Sequence, residues 1–248
     1  MQVEANAPVR ESVNAVRVDA DYLHAGADYS HASGRRLDSY TVAKRVLDIV
    51  MATAALVLLA PVFALVAVAV KLDSRGPVLH RRRVVAQNGR MPHPVDLSNA
   101  DAFDAFKFRT MRVDADEVLM RDQRLLREYL RDYKLENDPR VTGIGRFLRK
   151  TNLDELPQFF NVLVGQMSVV GPRIITHPEL EKYGRLAGKL LTVRPGMSGL
   201  WQVLRGSDHS YDRRVKLDMV YIRRRSIWLD LKIILLTIRL TLGVRGSG

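Results

Sequence analysis

Residues 49–70 form a run of 22 positions without a charge, rich in Ala, Val and Leu. At about 1.5 Å per helical residue, that length matches a hydrocarbon core of about 30 Å. Pro61 lies at its centre, where the missing N–H and the bulk of the ring break or kink a helix. Basic residues flank both ends, Lys44 and Arg45 before it and Lys71, Arg75 and Arg81-Arg82-Arg83 after it. Both ends then favour the cytoplasmic side of a bilayer. A helix that dips into one leaflet, breaks at Pro61 and returns satisfies both observations. An ordinary single-span anchor is the competing reading of the same residues.

Elsewhere the apolar pattern has shorter periods. Val78-Leu79-His80 predicts a short strand leading into a basic run, and residues 86–105 a polar loop marked by Asn88-Gly89 and Pro92-His93-Pro94. Phe106-Lys107-Phe108-Arg109-Thr110-Met111 alternates, predicting a strand with Lys107 and Arg109 on one face. Apolar residues at 118, 119, 125, 126, 129, 130 and 133 predict one helix over 114–135, its charged face solvated. Thr142-Gly143-Ile144-Gly145 fits neither the dinucleotide nor the Walker spacing and reads as a plain turn. Residues 179–191 predict a helix, 194–202 a turn followed by a short strand, and 211–225 a basic amphipathic helix. Residues 226–244 are strongly apolar but carry Asp230, Lys232 and Arg239, which predicts a helix lying in a membrane interface. Residues 1–40 show no sustained apolar period and no signal-peptide core, and are expected to be a disordered tail.

The candidate chemistry lies in Leu153-Asp154-Glu155-Leu156-Pro157-Gln158, preceded by Arg149-Lys150. A proline is tolerated in the first turn of a helix, so a helix is expected to begin at about 153–155. Both carboxylates then sit at a helix N-terminus, where unpaired N–H groups also favour a phosphate beside Arg149. On the motif alone, a simple helix cap is the better account.

Composition narrows the partner class. Cysteine is absent, so disulfides, thiolate catalysis and cysteine metal sites are excluded. Residues 41–248 hold 35 Lys/Arg against 21 Asp/Glu, a net of +14, which calls for an anionic partner: nucleic acid, anionic lipid or a phosphorylated substrate.

Taken together, the motifs resemble the bacterial sugar transferases, the monotopic phosphoglycosyl transferases. In order they are Lys44-Arg45 with Asp48, Gly76-Pro77, Lys107 to Met111, Asn137-Asp138-Pro139-Arg140, Leu153 to Gln158, Asn161-Val162-Leu163, Met167-Ser168, Gly171-Pro172-Arg173, Pro195-Gly196, Gly199 to Val203, and Trp228 to Lys232. They run in register from about Lys44 to Thr241. The chain departs from the family pattern at Ala60-Pro61 for Ser-Pro, at Arg83-Val84-Val85, at Gly171-Pro172-Arg173-Ile174, and at Leu204-Arg205-Gly206, where Gly and Arg are exchanged.

The resemblance implies an α+β, mostly helical fold. It divides into a 1–40 tail, a 41–72 re-entrant membrane helix broken at Pro61, and a 73–248 cytosolic catalytic domain with interfacial C-terminal helices. It implies transfer of a sugar-1-phosphate from a UDP-sugar to polyprenyl (undecaprenyl) phosphate, releasing UMP, as the first step of exopolysaccharide or related glycan synthesis. Asp154 takes the nucleophile's place and Glu155 that of its partner, with both carboxylates on Mg²⁺. Lys107, Arg149, Arg173 and Arg205 take the phosphate-binding places. The implied location is the cytoplasmic face of the bacterial inner membrane, against anionic lipid. There is room for a homo-oligomer and for downstream glycosyltransferases as partners. A basic membrane-associated scaffold without catalysis accounts equally well for charge and apolar segments, but leaves Asp154-Glu155 unused. The 49–70 segment counts against a nucleic-acid binder, and no nucleic-acid partner is expected.

Overall fold

The computed structural model describes residues 39–86, 101–132, 135, 137–204 and 210–241. Expectations for most of the 1–40 tail, most of the 86–105 loop and Arg205 lie outside these residues.

The uncharged segment forms two helices, α1 (Ser39–Leu58) and α2 (Ala60–Asp73), bent by 62° on either side of Leu59. Pro61 occupies the first turn of α2, where an N–H would have no helical partner anyway. Among the described residues, no single helix is long and apolar enough to cross a membrane; the bent pair passes that test together.

Next comes an antiparallel hairpin, β1 (Leu79–Val85) and β2 (Ala102–Phe108), in register from Leu79↔Phe108 to Val85↔Ala102. The basic run Arg81-Arg82-Arg83 is therefore inside a strand, and β2 starts and ends earlier than the alternation suggested. Arg109 falls beyond β2 and does not share the role of Lys107. Buried, it donates to the carbonyls of Ser74 (2.6 Å) and Arg75 (2.8 Å), closing the C-terminal end of α2.

The helix expected over 114–135 is two, α3 (Ala115–Arg121) and α4 (Gln123–Asp132). Asp122 breaks it, because its carboxylate accepts from the N–H groups of Arg124 and Leu125 and so starts a new helix. Then follow α5 (Gly143–Thr151), a 3₁₀ turn (Leu153–Glu155), α6 (Gln158–Leu163) and β3 (Ser168–Val170). Beyond these are α7 (His177–Leu180), a 3₁₀ segment (Glu181–Leu186), α8 (Ala187–Leu190) and β4 (Gly196–Ser198), and finally α9 (Leu200–Leu204), α10 (Tyr211–Arg224) and α11 (Ile227–Thr241). Gly184, at φ 48°, interrupts the helix expected over 179–191. Within 194–202, where a turn and then a short strand are expected, Leu200–Leu204 is helix α9 and the strand is Gly196–Ser198, pairing in parallel with β3. Its backbone approach needs glycine, since a Cβ on Gly196 would stand 2.1 Å from the Gly171 nitrogen.

Two apolar cores result. The larger gathers Phe103, Met167, Leu180, Tyr183, Trp201 and Tyr221 among others; the smaller joins Val66 and Val70 of α2 to Phe108 and Leu148. Polar contacts stitch α1 to the larger core. Arg45 donates to the last carbonyls of α6, Val162 (2.6 Å) and Leu163 (2.7 Å), while Asp48 accepts from Ser168 Oγ and the Val169 N–H. Asp230 is not on a wet outer face of α11. It is fully buried and accepts from Lys44 (2.8 Å), Tyr221 (2.9 Å) and Tyr40 (3.2 Å). A buried carboxylate needs such partners to offset its desolvation. The outer side of α11 exposes Trp228, Leu235, Ile238 and Leu240 together with Lys232 and Arg239.

Candidate active site

Asp154 and Glu155 lie at the seam between the two cores. Helix α5 ends at Asn152, whose left-handed φ of 57° and N–H bond to the Leu148 carbonyl reverse the chain. A single 3₁₀ turn follows, with Pro157 as the residue capping α6. The expected helix start is therefore two pieces, a tight turn carrying the carboxylates and then α6. Leu153 and Leu156 pack against the smaller core, which leaves Asp154 and Glu155 to face β2.

Lys107 of β2 donates to Glu155 Oε1 and stands 3.9 Å from Asp154 Oδ2. Asn161 fixes that spacing. Fully buried, it accepts from the Phe106 N–H (2.9 Å) and donates to the Asp104 carbonyl (2.8 Å), locking α6 to the strand that carries Lys107. Arg149 donates from Nε to Thr110 Oγ1 (2.9 Å), and its charge is felt at Asp154. Arg173 follows the tight Gly171-Pro172 segment, and its charge is felt at Glu155. The structure thus brings together five of the expected site residues: Lys107, Arg149, Asp154, Glu155 and Arg173.

The two carboxyls are driven apart. Burial raises Asp154 above its ordinary value, against the pull of Lys107 and Arg149. Burial acts in the same direction on Glu155, but Lys107 and Arg173, helped by Arg82, hold it below its ordinary value. Opposed shifts of this kind separate the roles of paired carboxylates. Asp154 is the more basic of the pair, and Glu155 stays anionic beside its lysine.

For a divalent cation the donor set is open. Among the described residues no three His, Asp or Glu side chains gather into a cage. Two adjacent carboxylates fit Mg²⁺, which is usually held by one or two carboxylates plus substrate phosphates.

Several neighbours escape a motif reading. Arg82 on β1, Glu179 on α7, and Arg214 and Asp218 on α10 form a polar cluster beside Arg173. Glu179 lies 3.6 Å from Arg82 and 3.5 Å from Arg214. Asp218, fully buried, accepts from Tyr183 (2.7 Å), and burial pushes its carboxyl up to about 6. The one available signal was strand alternation, which puts Arg82 on the same face as His80. An open depression of about 490 Å³ lies elsewhere, lined in part by Ser74, Arg75, Arg112 and Glu117, and holds none of the expected site residues.

The chain that builds this site has relatives among known proteins. The model of the bacterial sugar transferase family matches residues 39–243, and the chain belongs to that family. It is 41% identical over 210 residues to the exopolysaccharide production protein ExoY of Rhizobium meliloti, covering 83% of this chain and 88% of that protein. An uncharacterized sugar transferase of Haemophilus influenzae is 40% identical over 213 residues, 84% of this chain and 43% of its own length. The undecaprenyl-phosphate galactose phosphotransferase of Salmonella typhimurium is 39% identical over 208 residues, 82% of this chain and 41% of its own length. The chain therefore spans less than half of the latter two relatives.

Proposed function

We propose that the protein transfers a sugar-1-phosphate from a UDP-sugar to polyprenyl phosphate at the cytoplasmic face of a bacterial inner membrane, as the first step of exopolysaccharide or related glycan synthesis. The observation that carries this reading is a buried, pKa-raised Asp154 beside a Glu155 held by Lys107. Relatives named for undecaprenyl-phosphate galactose and glucose transfer support the substrate class.

In the first step an Asp154 carboxylate oxygen attacks the phosphorus next to the sugar. The bond from that phosphorus to the bridging oxygen breaks, and UMP leaves with the electron pair. In the second step an oxygen of the polyprenyl phosphate attacks the same phosphorus, the Asp154–phosphorus bond breaks, and the carboxylate is regenerated. Splitting one displacement in two lowers each barrier. Arg149 and Arg173 stabilise the phosphoryl oxygens, and Lys107 keeps Glu155 ionised. Asp154 and Glu155 are the residues that would hold Mg²⁺, whose charge neutralises the diphosphate when bound.

The membrane reading rests on α1 and α2, which expose Val57, Leu58, Leu65, Val68 and Leu72. We assign 41–72 to a re-entrant hairpin, 73–248 to the catalytic domain, and α11 to the lipid interface. Purified protein supplied with Mg²⁺, polyprenyl phosphate and a panel of UDP-sugars should release UMP with at least one donor. Absence of release across the panel would favour a basic membrane-associated scaffold.

A further inference from the structure

Arg82 lies on the face of the hairpin that looks at the dyad. Residues directly opposite one another in an antiparallel pair share a face, and the face alternates along each strand. Lys107, which pairs with Glu155, stands opposite His80, and Arg82 is two positions further along β1. Its opposite number is the small, fully buried Ala105, which leaves room above it. The charge of Arg82 is felt at Glu155 and Arg173, in keeping with its place on the Lys107 face.

Glu179 holds that guanidinium in place. The carboxylate is itself fixed, accepting from the Thr176 N–H and Oγ1, both at 2.9 Å, and facing Arg214 at 3.5 Å. At 3.6 Å the Arg82–Glu179 pair steers without a hydrogen bond, and 39% of the Arg82 side chain stays open. An orientated, half-open guanidinium beside a reaction centre is suited to bidentate phosphate binding.

The two cores indicate which phosphate. Arg149 follows Leu148 of the smaller core, which contains the apolar helix α2. The anchors of Arg82 border the larger core, Glu179 preceding Leu180 and Arg214 preceding Val215 in sequence. A lipid-borne phosphate arriving along α2 meets Arg149 first, leaving the opposite flank to a soluble nucleotide. Resting on the reaction proposed above, we infer that Arg82, orientated by Glu179, binds the nucleotide diphosphate of the donor together with Arg173, and does not bind the lipid phosphate.

The full chain in detergent or lipid discs tests this through two readouts, calorimetric affinity for UDP without turnover and the separate KM values for UDP-sugar and polyprenyl phosphate. R82Q should weaken UDP binding about tenfold or more, the size of one charge-assisted hydrogen bond. It should raise the UDP-sugar KM in parallel and leave the polyprenyl phosphate KM unchanged. R82K, which keeps the charge and loses the fork, should fall between R82Q and wild type, and decides the matter if R82Q melts early. Unchanged UDP affinity, or a shift confined to the lipid KM, would overturn the inference. Because UDP binding is read without catalysis, this result stands apart from whether UMP is released at all.

Discussion

Asp154 and Glu155 are adjacent in sequence and opposite in behaviour. Burial dominates at the first and the Lys107 ion pair at the second, so one pKa rises and the other falls. Attack by Asp154 requires its unprotonated form. With its folded pKa raised, kcat/KM is full at higher pH and declines as pH falls through a value above the ordinary aspartate figure of about 3.9. Lys107 pulls that value down, so K107M should move the acid limb of the UMP-release profile to higher pH, besides lowering its height. A limb that stays in place or moves to lower pH would mean that Asp154 is not the titrating group. The same scale shows where reading residues one at a time fails. Asp230 is one of the charges from which an interfacial helix is expected, yet Lys44, Tyr40 and Tyr221 enclose it. Tyr40 and Lys44 come from a distant part of the chain and Tyr221 from the preceding helix, and no local period announces them.

At the scale of elements, features set by local chemistry were legible. Pro61 marks the break between α1 and α2, whereas Pro157, from which a helix start at 153–155 is expected, caps α6 and leaves the carboxylates on a separate 3₁₀ turn before it. The alternation around Lys107 located a strand and put the lysine on it. Elements decided by tertiary packing were not legible. Trp201 reads as a strand residue, but α9 forms because the ring is buried in the larger core against helices that join it from elsewhere. One apolar stripe from 118 to 133 concealed a break, because Asp122 caps a second helix without disturbing the period. Arg82 is hidden for a related reason: Val78-Leu79-His80 predicts a strand that stops short of it, whereas β1 runs on through the basic run to Val85.

At the scale of the molecule, the arrangement is two apolar cores with the dyad at their seam. The smaller core couples α2 to the turn that carries Asp154 through Phe63, Phe108, Leu153 and Leu156, and Arg45 ties α1 to the end of α6. The element that would enter the bilayer is thus continuous with the reacting groups, as expected of an enzyme that joins a soluble donor to a lipid acceptor. If 41–72 dips and returns, the tail and the 73–248 domain share the cytoplasmic side. The native chain has no cysteine, so a single cysteine introduced within residues 1–40 is a clean reporter. It should resist an impermeant thiol reagent added to intact spheroplasts and react after lysis; labelling before lysis would establish a spanning helix instead. The central claim is that Asp154 becomes covalently phosphorylated. Its most direct test is rapid mixing of the enzyme with UDP-sugar and Mg²⁺ in the absence of polyprenyl phosphate. The mechanism predicts a burst of about one UMP per active site and a sugar-phosphate mass gain on the peptide carrying Asp154, both lost in D154N. UMP release that persists in D154N would contradict it.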